Sequence, residues 1–95
     1  MTVKDIKKGQ VVSHKGMILV YMGPIEDETH RFFKIENNMF DNGKFIGQKF
    51  IEGTNDDVID IPITNKTTFE RTKYTPYFVT EDRKTKNLLL RRKRG

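Results

Sequence analysis

Residues 10–22, QVVSHKGMILVYM, decide the fold. Residues 10–14 read as a short strand, Lys15-Gly16 turns the chain, and residues 17–22 (MILVYM) return as a second strand. The returning segment is apolar at odd and even positions alike. Because successive strand side chains point to opposite faces, both of its faces are apolar, which predicts the central strand of a sheet.

Further along, Gly23-Pro24 predicts the end of that strand, since proline has no ladder donor and restricts the residue before it. The acidic run Glu26-Asp27-Glu28 reads as a loop leading to a strand over residues 30–36. There Phe33 and Ile35 share one face while Phe32 and Lys34 share the other. Asn37-Asn38 and Asp41-Asn42-Gly43 are turn chemistry. Residues 44–51 read as a strand with a bulge or bend at Gly47, and residues 53–57 as a loop.

The cleanest alternation lies at residues 58–63, where Ile59, Ile61 and Ile63 point one way and Asp60 the other; Pro62 predicts an edge strand or a bulge. Residues 67–73 are rich in β-branched side chains, with Phe69 directed at the core. Residues 77–80 follow Pro76 as a further strand. Residues 80–94 allow two readings. One is a hairpin pairing residues 77–80 with 87–92. The other is a short helix with Thr80 as N-cap, Glu81 and Asp82 in the first turn and arginines at the end. Three consecutive leucines, Leu88-Leu89-Leu90, give no helical stripe and favour the hairpin. Six or seven short strands about ten residues apart predict an all-β fold, a small closed or nearly closed antiparallel barrel. Its expected core includes Ile18, Val20, Phe33, Ile35, Ile59 and Ile61.

Ile6, Gly9, Val11-Val12, Lys15-Gly16, the apolar run 18–21 and Gly23 together resemble the opening hairpin of KOW-type SH3-like barrels. In that family the first glycine lets the chain turn into the barrel, and the later Lys-Gly closes the hairpin. The resemblance covers residues 6–23 only. It departs from the family in lacking a glycine within the second strand, since residues 17–22 hold none. It implies a small SH3-like barrel that serves as an RNA- or protein-binding module.

Ninety-five residues are enough for one domain, residues 1–95, and too few for two independent cores. With no cysteine, disulfides, thiolate zinc sites and cysteine nucleophiles are excluded. Residues 1–9 hold no apolar signal core, and no apolar run approaches the roughly 18 residues that cross a bilayer. The expected setting is therefore cytoplasmic, without a membrane partner.

The net charge of +5 is unevenly placed. Residues 83–95 hold seven basic side chains (Arg83, Lys84, Lys86, Arg91, Arg92, Lys93, Arg94) and no acidic one. The remaining eleven Lys and Arg face all thirteen Asp and Glu, which leaves a body of −2 carrying a segment of +7. Such asymmetry marks contact with a polyanion or an acidic protein surface.

Signals for catalysis are sparse. His14 and His30 are the only histidines and, without cysteine, rarely complete a zinc site. The acidic loops match no EF-hand spacing. Phosphate-binding glycine loops and the nucleophile elbow are missing. The expectation is a protein that is not an enzyme and uses no metal or cofactor.

The basic segment offers phosphate contacts, each of which releases counterions. Cations also alternate with aromatics at Arg31-Phe32-Phe33-Lys34 and at Lys44-Phe45 with Lys49-Phe50. Phe32 shares a face with Lys34, and Phe45 with Lys49. Facing outward these pairs are stacking platforms of the kind single-strand binders use; facing inward the phenylalanines are core. The sequence thus favours a nucleic-acid-binding β protein, RNA ahead of DNA because no recognition helix is visible. The alternative is a protein-interaction module or small inhibitor, of phage or mobile-element kind, docking on an acidic partner.

Overall fold

A computed structural model describes residues 1–35, 40–41, 44–45, 58–81, 83–84 and 88–92. After a 3₁₀ turn at Val3–Asp5, the strands are β1 (Val11–His14), β2 (Met17–Glu26), β3 (Thr29–Lys34), β4 (Phe40–Asp41), β5 (Lys44–Phe45), β6 (Val58–Pro62), β7 (Tyr77–Glu81) and β8 (Leu88–Arg92). The all-β expectation is met, with no α-helix among the described residues.

The main sheet is antiparallel in the order β1-β2-β3-β6. β1 and β2 form a two-residue hairpin in which Lys15 and Gly16 both take positive φ, 50° and 80°. That mirror-image turn matches the natural twist of the strands. β6 lies at the end of the sheet, where the missing amide hydrogen of Pro62 is tolerated.

Adjacent Phe32 and Phe33 show how the core is laid out. Both are fully buried, yet they point to opposite faces of β3. On one side Phe32 joins Val12, Leu19, Tyr21 and Ile61 beneath Ile6, Ile63 and Phe69. On the other, Phe33 joins Val11, Val20 and Ile35 beneath Val79, with Tyr74 and Leu90 at the rim. Of the expected core residues, Val20, Phe33, Ile35 and Ile61 are buried. Ile18 and Ile59 are half-buried against it.

A closed barrel is therefore not what forms. Barrel strands alternate between one interior and one outer face, whereas β1–β3 bury apolar residues on both. The result is a sheet covered on each side, by the N-terminal segment and Phe69 on one face and by the terminal hairpin on the other. Among the described residues no pairing joins β6 to β8.

One local expectation is also corrected. β2 does not stop at Gly23-Pro24 but continues to Glu26, its register shifting between Tyr21 and Gly23 and again between Pro24 and Glu26. Bulges at these points, with Gly23 at φ 108°, absorb the proline. Residues 67–73 form a strap that a bridge between Ser13 and Glu70 ties to β1. As expected, the Phe69 ring is buried in the core, and its N–H donates to Met1 O at 2.7 Å. Of the two readings of the C-terminal segment, the favoured hairpin is the one that forms, pairing Tyr77 with Arg92 through to Glu81 with Leu88. The expected turn at 37–38, most of the strand at 44–51 and the loop at 53–57 lie outside the described residues.

Candidate nucleic-acid interface

Gly9 and Gln10 tie the terminal hairpin to the body through hydrogen bonds. Gly9 donates its N–H to Tyr21 O and accepts the Val79 N–H, each at 2.7 Å, and Gln10 bridges Phe78. The Gln10 side-chain amide also donates to Thr75 O at 3.3 Å. Just before β7, Thr72 N–H donates to the Thr75 hydroxyl at 2.6 Å and Tyr74 N–H to the Thr72 hydroxyl at 3.0 Å. Threonines here are used for local side-chain-to-backbone bonds that fix a turn.

Alternation then orients the hairpin. Val79 and Leu90 are paired and face the core. Phe78 with Arg91, and Thr80 with Leu89, are therefore the pairs on the opposite, outer face. Arg91 and Thr80 are exposed there, while Phe78 and Leu89 are half-buried.

The described residues of the basic segment, 83–84 and 88–92, thus belong to a folded hairpin. Arg83 and Lys84 are exposed at the turn of the hairpin, and Arg91 is exposed on β8. Arg92 pairs with Tyr77 at the far end from the turn. At about 3.3 Å per residue, the five residues of each strand separate the two basic groups by roughly 13 Å or more. Lys86, Lys93 and Arg94 lie outside the described residues.

The aromatic platforms fare differently. Phe32 shares a face with Lys34, as expected, but that face is interior. Its ring is 0% exposed and stacks on Phe69 with centroids 5.2 Å apart, so no base reaches it. Lys34 is half-buried opposite Leu19. Phe45 pairs through its backbone with Phe40, and Lys49 lies outside the described residues.

Arg31 is engaged in a bidentate pair with Asp60 directly across the strands, at 2.9 and 3.2 Å. Hydrogen bonding from Arg31 holds the Asp60 carboxyl below the ordinary aspartate range. Asp5 is lowered too, chiefly because the Thr2 N–H donates to its carboxylate at 2.9 Å. Burial raises the Tyr21 hydroxyl, which lies 2.6 Å from His30 Nδ1. His14 Nδ1 donates to Thr68 O at 3.0 Å, and its ring packs on Phe69. Both histidines thus have structural partners. Among the described residues no three His, Asp or Glu gather in a way that holds a metal. No helix among them is long and apolar enough to cross a membrane.

Sequence reasoning overlooked Phe78 and the turn before it, where Lys73 Nζ lies 5.1 Å from the centre of the Tyr74 ring. The signal was present. Arg71-Thr72-Lys73-Tyr74 and Tyr77-Phe78 interleave cations and aromatics as Arg31–Lys34 does, and they lead directly into the basic segment. Comparison with protein-family models, curated proteins and solved structures finds no match to this chain.

Proposed function

We propose that this is a cytoplasmic, non-catalytic nucleic-acid-binding protein that grips RNA in preference to DNA through its basic C-terminal hairpin. The observation that carries the reading is the coincidence of charge and structure. The +7 segment includes both the turn and the second strand of a hairpin docked on a mildly acidic body. Cations held on a docked strand lose less freedom on binding than cations on a free tail, so more of their phosphate attraction is retained. Arginine adds bidentate phosphate contact and stacking on bases. The resemblance of residues 6–23 to KOW-type modules, which bind RNA or protein, is compatible with this reading.

Absorbance of protein purified at low salt tests this reading. With no tryptophan and three tyrosines, the chain absorbs weakly at 280 nm. Bound nucleic acid then raises the 260/280 ratio conspicuously, and ribonuclease or high salt removes it. Preparations free of nucleic acid that also bind no added RNA near physiological salt would favour the acidic-protein partner.

A further inference from the structure

The outer face of the terminal hairpin carries one aromatic ring, and its setting is specific. Gln10, Phe78 and Arg91 form a continuous cross-strand row, because Gln10 bridges Phe78 and Phe78 pairs with Arg91. Directly opposed strand residues on one face have Cβ atoms about 5 Å apart, within reach of an aromatic ring and a guanidinium. The opposite face is committed to the core through Val79 and Leu90, so this face cannot turn inward without unmaking that packing. Arg91 is exposed and Phe78 half-buried. Phe78 also has a structural use, since its Cδ1 comes within 3.7 Å of where a Gly9 side chain would begin.

We infer that Phe78, with Arg91 opposite it, is a base-stacking site, and that the ligand is single-stranded nucleic acid rather than a duplex or a generic polyanion. The inference rests on the nucleic-acid reading above and narrows it. Unpaired bases expose their π-faces to an aromatic ring, while a duplex keeps them within its own stack. Arg91 serves twice, contacting the backbone phosphate and extending the platform with its own guanidinium plane. Arg83 and Lys84, at the turn, hold phosphates farther along the same strand. Charge complementarity selects the occupant, since the face lies on the one strongly cationic element of the chain.

The test uses the full-length protein and a fluorescein-labelled single-stranded RNA of about 12 nucleotides, with the matching duplex and heparin as comparisons. Phe78→Leu keeps apolar cover over Gly9 but removes the ring. Single-strand affinity should fall roughly five- to one-hundred-fold, with an unchanged salt slope and little change in heparin or duplex affinity. Phe78→Trp introduces the only tryptophan, and its emission should be quenched by the single strand and not by heparin. Retained affinity in Phe78→Leu, or an unquenched tryptophan in protein shown by anisotropy to be bound, overturns the stacking site while leaving phosphate gripping intact. Wild-type protein that binds no nucleic acid overturns both readings. If Phe78→Leu unfolds, the Phe78→Trp quenching decides the matter alone.

Discussion

Gly9 and Val79 meet backbone to backbone. The Val79 N–H donates to Gly9 O at 2.7 Å, and a Cβ on Gly9 would lie 2.9 Å from Val79 O. Gly9 also has φ +91°, a conformation that side chains rarely adopt. This contact docks the basic hairpin on the body. Gly9→Ala should therefore cost about 2–3 kcal/mol in urea unfolding. Hydrogen exchange should show the Val79 amide losing protection before those of β2. A change below about 0.5 kcal/mol would mean that the hairpin is not held there.

The two-sided sheet is tested by a pair of neighbouring substitutions. Phe32→Ala and Phe33→Ala should each cost about 3–5 kcal/mol, because each removes a fully buried ring from a different face. A barrel with an outward aromatic platform requires one of the two to cost less than about 1 kcal/mol. Whichever of the two costs so little would then be a surface residue.

Much of the fold is legible in the sequence, and the failures share a cause. Alternation correctly put Ile59, Ile61 and Ile63 together and separated Phe32 from Phe33, because strand geometry fixes which side chains share a face. It says nothing of what covers a face. The cover for Phe32 comes from Ile6 and Phe69, which reach it only through tertiary folding. Residues 17–22, apolar on both faces, rightly read as a central strand, since β2 lies inside the sheet; the closed barrel expected around it overlooked that both faces are covered. Pro24 misled for a related reason: local chemistry predicts a stop, and a bulge absorbed it. In the basic segment the hairpin was legible from the leucine run, whereas the outward turn of Phe78 depends on Val79 having been claimed by the core.

At Lys15 the turn carries a non-glycine residue at φ 50°. Asparagine adopts that region more easily and is preferred at the first position of this turn. Lys15→Asn should stabilise the protein by roughly 0.5–1 kcal/mol, seen as a rise in Tm. A lower Tm would contradict the turn assignment.

Acid should weaken the fold partly through Asp60 and Asp5. Both carboxyls have folded-state pKa values below their ordinary value of 3.8. Their contribution is thus fully present above the unfolded pKa and is lost as pH falls through the depressed folded values. Asp60→Asn should flatten the decline of the urea midpoint below about pH 4 and leave the slope near neutrality unchanged. Both groups are exposed, so the effect is small and shrinks with added salt. An equally steep acid decline in the variant would show that the Arg31–Asp60 pair contributes nothing measurable.

The salt dependence of RNA binding tests the central claim most directly. The wild type and a variant with Arg91, Arg92, Lys93 and Arg94 all replaced by Ala would be titrated with one single-stranded RNA over a range of salt concentrations. Arg91 is exposed, and exposed charges contribute little to folding, so the variant should remain folded with a nearly unchanged Tm. Its affinity should fall steeply, and the slope of log K against log salt should shrink by about 0.7 for each phosphate that is no longer neutralised. A folded variant that binds RNA with undiminished affinity and an unchanged slope would contradict the claim and remove the hairpin's basic end from the binding site.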